Sequence, residues 1–557
     1  MSKGCLPTVI TVMLLAVLAL ALFASCTKRN PTNDTPNETP STPIADTTPD
    51  TPTTQTDTPT ETPTDTPTEP PEEIILTPLP ENNVAESAFE HFKELSKIPR
   101  ASGNMQAISD YLADFAVQQG LEVVQDTALN IFIKKAGTTG RENEPPVILQ
   151  AHMDMVAQKN QDVEHDFSTD PIIAVMEGDW VTSSKKTTLG ADNGVGLSII
   201  LAILEATDIS HPPIEAVITT DEEVGMTGAA AFDVSLLTGT RFINLDMEEE
   251  GVLTVSCAGS ADVELSAPVE YMPLPDGFAS YAVEVKGLVG GHSGVDIHRG
   301  RANANVLMAQ ALNRIGAEFY LSSIDGGTAR NAIPRECTAV IAFNEDDFDT
   351  VNSAIKQAEA AFLTIFAEYG EDSMSISLVP QDSGEVMTAE STARVLNTIM
   401  QIPNGVIYMS ADIAGLVQTS SNLGVITTSA DTVSMSIYPR SSVPSELDAT
   451  LEQMQATAAL LGVQMDVGTQ TPPWPYKQDS PLRVKMVAVH RAMYGWEPSV
   501  EAVHAGLECA LFSGKMPNAD FISIGPNIEA GHSPDERFSY SSYVRFCEFL
   551  VRVLYEL

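Results

Sequence analysis

The stretch VILQAHMDMV, residues 147–156, decides how the rest of this chain is read. Five apolar or neutral residues run straight into His152, Met153 and Asp154, so a strand ends on two polar side chains. A period of two places His152 and Asp154 on the same side. One of them can bind a metal while the other orients it, because a carboxylate on the far nitrogen of a ligating histidine is the usual supporting arrangement.

Working outward, the same pattern of apolar segment followed by acid or imidazole recurs four times. TTLGADNGVGLSIILAI (187–203) sets Asp192 between glycines at the mouth of an apolar helix, Val195 to Glu205, where a carboxylate could bridge two cations. AVITTDEEVG (216–225) delivers Glu222 and Glu223 at a strand end. Adjacent carboxylates would repel in a plain core, but one could hold a metal while its neighbour takes a proton. FINLDMEEEG (242–251) gives Asp246, and ISIGPNIEAGHSPDE (522–536) gives His532 after a glycine-containing turn. Taken singly, each of these is an ordinary strand-end, turn or solvated charge. Together, two His, two Asp and one Glu at one edge of one sheet suit a hydrolytic two-metal centre with N and O ligands.

The surrounding pattern supplies that sheet. Helices are expected at Ala85–Ile98, at Met105–Gln119 before Gly120, and at Pro481–Tyr494. Apolar runs in LEVVQD, NIFIKKAG, AVITT, RFINLD, VLTVSC and FISIGP read as strands. Strands alternating with helices imply an α/β fold with a doubly wound mixed sheet, whose ligands lie at the carboxyl ends of the strands. From about Ala261 to Gln470 the texture changes to amphipathic strands and helices, so a catalytic domain in two parts, 83–260 and 471–557, is expected to be interrupted by an α+β insertion, 261–470.

The amino end is of another kind. Lys3 precedes an apolar run, Val9 to Phe23, of secretory length and short for a membrane span. It closes on Phe23-Ala24-Ser25-Cys26, which resembles the lipobox of bacterial lipoproteins; residues 1–26 would be the signal peptide and Cys26 the lipidated new terminus. Residues 27–82 are Thr, Pro and acid-rich and cannot repay the cost of ordering, so they read as a stalk. About 50 such residues, extended at ~3.1 Å each, reach ~150 Å. The expected location is the bacterial cell surface, with membrane contact only through the lipid.

Composition narrows the function. The 557 residues carry 75 acidic against 30 basic side chains, a formal charge of −45. Nucleic acid is excluded as a partner, because phosphate recognition needs a basic face. Six cysteines, at 5, 26, 257, 337, 509 and 547, lack the spacing of a disulfide scaffold or zinc knuckle.

With those residues in view, the chain from about Asn83 to Leu557 closely resembles the aminoacyl-histidine (Xaa-His, beta-alanyl-histidine) dipeptidases, dinuclear metallopeptidases of the aminoacylase and carboxypeptidase-like clan. The segments that carry the resemblance are LQAHMDMVAQKN, HDFSTDPI, TTLGADNGVG, DEEVGMTGA, EEEGVLTVSCAG, GLVGGHSGVDIHRGRANAN, GGTARNAIPRE, AVHAGLECALF and SIGPNIEAGHSPDE, in that order. The resemblance implies that His152 and Asp246 hold one cation, Glu223 and His532 the other, and Asp192 bridges them. Asp154 would orient His152 and Glu222 would be the general base. The insertion would be a lid, with His292 donating to the oxyanion, Asn331 polarising the substrate and Arg440 clamping its free carboxylate. Two divalent cations are implied, Zn2+ first, although Mn2+ and Co2+ accept the same ligands. Small unblocked peptides are the expected substrates, and a monomer or a homodimer is compatible with the lid. Two further readings stay open: an aminoacylase or carboxypeptidase of the same clan, and a non-catalytic peptide-binding lipoprotein. The loop PRASGNMQ (99–106) departs from the recognisable segments and is expected to touch the substrate's amino end.

Overall fold

The computed structural model describes residues 76–411, 413 and 415–557. The signal, Cys26 and most of the stalk therefore lie outside the described residues. Among the described residues no helix is long and apolar enough to cross a membrane.

Eight strands form the sheet on which the chemistry is built. In chain order they are β1 (Glu122–Gln125), β2 (Ile131–Lys135), β3 (Val147–His152), β4 (Ile214–Thr219), β5 (Arg241–Asn244), β6 (Val252–Cys257), β7 (Ser499–Val503) and β8 (Asp520–Ser523). In space they run β1-β2-β4-β3-β5-β8-β6-β7. The centre, β4-β3-β5-β8, is parallel, whereas β1, β2 and β6 pair antiparallel with their inner neighbours. The sheet is thus mixed, as the sequence implied, and it draws its last two strands from the far end of the chain.

Both faces are covered, which is why the central strands read as unbroken apolar runs. Val147, Leu149 and Ala151 of β3 pack into one core with Ile214, Ala216 and Ile218 of β4, beneath helices α1 (Val84–Leu95), α3 (Ala191–Glu205), α4 (Pro481–Tyr494) and α6 (Tyr540–Glu556). Ile148, Val217 and Phe242 point the other way, against Phe232, Phe512 and Trp474. Helix α3 is apolar on nearly every side because it lies between the sheet and α1, so it needs no polar stripe. Helices α2 (Gln106–Gln118) and α5 (Glu508–Lys515) complete the two layers. The expected helix at 85–98 stops at Leu95, where Ser96 turns its hydroxyl back onto the Phe92 carbonyl.

An eleven-stranded antiparallel sheet occupies Gly259 to Thr471. The helices Ala304–Leu312, Phe348–Ile365, Ala389–Gln401 and Pro444–Leu461 cover it around a second apolar core that includes Leu265, Leu307, Phe343, Ile355 and Met435. This is the α+β lid. A smaller four-stranded sheet, Ala174–Glu177, Trp180–Ser183, Ile528–Glu529 and Arg537–Ser539, braces the hairpin on which His532 stands. Cys257, Cys337, Cys509 and Cys547 are free thiols, all buried.

Candidate metal centre and substrate cleft

The carboxyl ends of β3, β4 and β5 converge on one point. His152 is the last residue of β3 and is 1% exposed. Its Nε2 lies 3.0 Å from Asp192 Oδ1 and 3.3 Å from Asp246 Oδ1, while its Nδ1 faces Asp154 Oδ1 at 3.4 Å. His532, in the tip of its hairpin, has Nε2 3.1 Å from Asp192 Oδ2 and 2.9 Å from Glu223 Oε2. Each oxygen of Asp192 therefore serves one imidazole, which is the disposition of a bridging carboxylate. Ligand atoms of His152, Asp192 and Asp246 lie within 4.8 Å of one another, as do those of Asp192, Glu223 and His532. A third such group, His152, Glu222 and Glu223, brings the expected base beside the same imidazole.

Asp154 does more than orient. Beyond His152 it accepts the Ser102 hydroxyl at 2.8 Å and the backbone N–H groups of Glu222 at 3.1 Å and Glu223 at 3.4 Å. One buried carboxylate thus ties the end of β3 to the turn after β4. That turn is sharp: Asp221 has φ 54° and Gly103 N–H donates to its Oδ1 at 2.9 Å.

The electrostatics describe a site short of positive charge. Burial pushes Asp246 up to about 7, Glu248 up to about 7, and Glu222 well above the carboxylate range. Burial alone would raise Asp192 too, but hydrogen bonds from both histidines hold it below the usual range. Bonds to Asp192 and Glu223 raise His532 to about 11. Buried carboxylates that retain protons, around imidazoles that capture them, form a donor set whose charge two divalent cations would balance. Glu223 Oε1 is moreover a buried oxygen with no partner. All-imidazole and carboxylate donors at these spacings fit zinc and its first-row neighbours.

The lid contributes the opposite charge. Strand Gly291–His292 pairs with Ala332–Ile333, which brings His292 and Asn331 side by side, and Ser293 N–H donates to the Asn331 carbonyl at 2.8 Å. Arg440 is 5% exposed, stacks on Tyr438 at 4.5 Å, and keeps a buried Nε without a partner. Burial lowers it, and among the described residues no carboxylate is among the charges acting on it. Its strand neighbour Ser420 holds His504 Nε2 at 2.7 Å. Burial and the Arg440 charge push His504 down to about 3 and lower His292 as well. Beside them a cleft of about 540 Å3 opens, lined by Val295, Leu416, Val417, Val500 and Val503 with His298 and Glu501.

Four supporting residues escaped the sequence reading. Glu508, fully buried, accepts Gln150 Nε2 at 2.5 Å and the Thr219 hydroxyl at 2.6 Å, stapling β3 to β4. Glu536 grips the turn before α3, and Arg100 lies beneath it. His504 joins Arg440. All four lie inside segments quoted above, yet their partners are hundreds of residues away or on a different element. In the loop 99–106, Arg100 is 1% exposed against backbone carbonyls and Ser102 holds Asp154, so these two residues support the site.

The chain is similar to known peptidases. Residues 130–268 match peptidase family M28 and residues 283–370 match the peptidase dimerisation domain of the M20 group. The chain is 36% identical over 469 residues, 84% of its length and 96% of the relative's, to the cytosol non-specific dipeptidase of Escherichia coli strain K12. A crystal structure of the aminoacylhistidine dipeptidase from Vibrio alginolyticus superposes with a TM-score of 0.78 at 36% identity, covering 84% of this chain and 96% of that one. The aminopeptidase PepT from Bacillus cereus shares the fold at 16% identity, with a TM-score of 0.50 over 85% of this chain and 98% of that one.

Proposed function

The chain belongs to the aminoacyl-histidine dipeptidase family of metallopeptidases, and from that premise we propose that it is an exported, lipid-anchored dipeptidase that hydrolyses unblocked dipeptides of broad side-chain type. The observation that carries the reading is a cation-seeking cluster around Asp192, with a buried Arg440 that has no acidic partner among the described residues as the second feature. A dipeptide has a carbonyl for the first and a free carboxylate for the second.

His152 and Asp246 would hold one cation, Glu223 and His532 the other, and Asp192 both. Zn2+ is the proposed ion. The cations would supply polarisation of the scissile carbonyl and acidification of water. Glu222, raised by burial, accepts the proton of the attacking water and returns it to the leaving amine. His292 donates toward the developing oxyanion, Asn331 polarises the carbonyl, and Arg440 holds the terminal carboxylate through a planar two-donor face. Lowering of His292 by burial and by Arg440 keeps its imidazole neutral near pH 7, a donor from one nitrogen only. Its Nδ1 accepts the N–H groups of Gly294 at 3.2 Å and Val295 at 3.0 Å, so Nε2 is the donor. The apolar lining beside His504 supports breadth over a strict histidine requirement.

Residues 261–470 are assigned to the lid; its match to a peptidase dimerisation domain over 283–370 supports a homodimer, and a monomer that closes its own site is the alternative. Export rests on the run Val9–Phe23 and Cys26. The decisive experiment is hydrolysis of Ala-His, beta-Ala-His, Ala-Leu, Gly-Gly and N-acetyl-Ala-His by the purified protein with zinc or with EDTA. Cleavage of the free dipeptides, abolished by EDTA, is expected. Cleavage confined to the acetylated peptide would make the protein an aminoacylase; silence with two cations bound would make it a binding protein. Radiolabelled palmitate is expected on the wild type and absent from Cys26→Ala.

A further inference from the structure

The turn that carries Asp192 is gripped from two sides by groups of opposite charge. On one side stands Glu536, 2% exposed, whose Oε2 accepts the backbone N–H of Leu189 at 2.7 Å and Gly190 at 3.0 Å, and whose Oε1 accepts those of Ala191 at 2.7 Å and Asp192 at 3.2 Å. Four successive amide donors on one carboxylate fill the open N-terminus of the 15-residue helix α3 with an anion from the chain itself. On the other side, Arg100 donates to the Gly190 carbonyl and to the carbonyls of Met153 at 2.9 Å and Asp154 at 3.1 Å. Arg100 thereby links the Asp192 turn to the end of β3, directly after His152. Among the described residues it forms no direct ion pair, and Glu536 is its strongest opposite charge.

The glycines record how tight this grip is. A Cβ on Gly190 would stand 2.5 Å from Arg100 Nη2, and one on Gly194 would stand 2.6 Å from it. Both glycines that flank Asp192 therefore leave room for the guanidinium beneath them. Glu536 lies four residues after His532 in the same hairpin, so a single loop presents an imidazole to the Asp192 side chain and a carboxylate to its backbone.

We propose that Arg100 and Glu536 are positioning residues that fix the Asp192 turn relative to His152 and His532 before any cation binds, so that cation affinity and turnover depend on both. The proposal rests on the dipeptidase reading for its substrate but not for its cation-binding test. An amide cannot replace Glu536 here. Glutamine has one acceptor oxygen and would turn its NH2 against two N–H donors in either orientation. Aspartate keeps the charge one methylene short and restores part of the grip.

The test uses the full chain, stripped of metal and titrated with Zn2+ by calorimetry, followed by steady-state kinetics on Ala-Leu. Glu536→Gln is expected to weaken zinc binding and to lower kcat, each by about 10- to 100-fold, with KM within about twofold. Glu536→Asp should recover part of both, and Arg100→Lys, which loses the planar fork, should resemble Glu536→Gln. Wild-type zinc affinity and kcat in a folded Glu536→Gln protein would overturn the proposal. Should that variant not fold, hydrogen exchange in the wild type decides: slow exchange at Leu189–Asp192 without metal supports a preset turn, and free exchange that slows only on adding zinc overturns it. A wild type that binds two zinc ions and cleaves no peptide would defeat the dipeptidase reading while leaving the calorimetric result to stand.

Discussion

The two groups of candidate site residues, a metal wall on the eight-stranded sheet and a lid wall, are built on opposite principles. The wall on the eight-stranded sheet gathers Asp154, Asp192, Glu222, Glu223 and Asp246 with two histidines, and lacks positive charge to match them. The lid wall gathers Arg440 over Tyr438 and His292, with His504 of the catalytic domain beside them, and among the described residues Arg440 has no acidic partner there. Either wall alone carries a desolvation cost that its local hydrogen bonds and the Arg440–Tyr438 stacking offset only in part. Two cations would relieve one and a substrate carboxylate the other, so the difference teaches that the molecule is complete only with its ligands in place.

Removing the base should have the largest effect on this pairing. Glu222→Gln is expected to lower kcat by on the order of 10²- to 10⁴-fold with both zinc ions retained, read by steady-state kinetics beside metal analysis. A variant that loses zinc in parallel would move Glu222 into the ligand set, as its grouping with His152 and Glu223 allows. On the lid wall, His292→Ala should reduce kcat by about 10²-fold with little change in KM, since its donor acts on the developing oxyanion.

Arg440 tests the division of labour directly. Arg440→Met should raise KM by about 10- to 100-fold through loss of a charged hydrogen-bond pair, while kcat and zinc content hold. Arg440→Lys should not restore KM, because a point charge lacks the planar fork. A dipeptide amide, with no carboxylate to clamp, should be cleaved equally poorly by wild type and Arg440→Met; a difference between them would take the clamp away from Arg440.

The smallest effect is expected beneath the metal wall. Burial raises Glu508 from the ordinary 4.5 to about 8, so between those values the folded protein holds a proton that the unfolded chain releases. Its stabilising contribution is full below pH 4.5 and is lost as pH rises through 8. In the metal-free protein, Glu508→Gln should flatten stability against pH across that window by on the order of 1–3 kcal/mol, measured by urea melts. An unchanged slope would mean that another group holds the proton.

Much of the metal wall was legible because its signals are local. His152 and Asp154 follow an apolar run in period two, Asp192 opens an apolar helix, and Glu222–Glu223 end another run; helix 481–494 is observed with the expected bounds. The supporting residues left no such signal. Glu508 reads as one more acid on a short helix, Glu536 as the end of a charged loop, and Arg100 as a surface cation on an acidic protein. Each acts on a backbone or side chain 53 to 358 positions away. Spacing along the chain says nothing about such partners.

The sequence by itself determined the alternation of strands and helices, the donor types at the strand ends and the acidic excess, since these follow from short-range periodicity and side-chain chemistry. Only the tertiary structure decided that Asp192 gives one oxygen to each histidine, that Arg440 is left without an acid, and that Arg100 and Glu536 enclose the same turn. Coulomb interaction and desolvation depend on distance through space and on burial, and both are settled when β8 and the His532 hairpin, from the far end of the chain, come to lie against strands formed nearly 300 residues earlier.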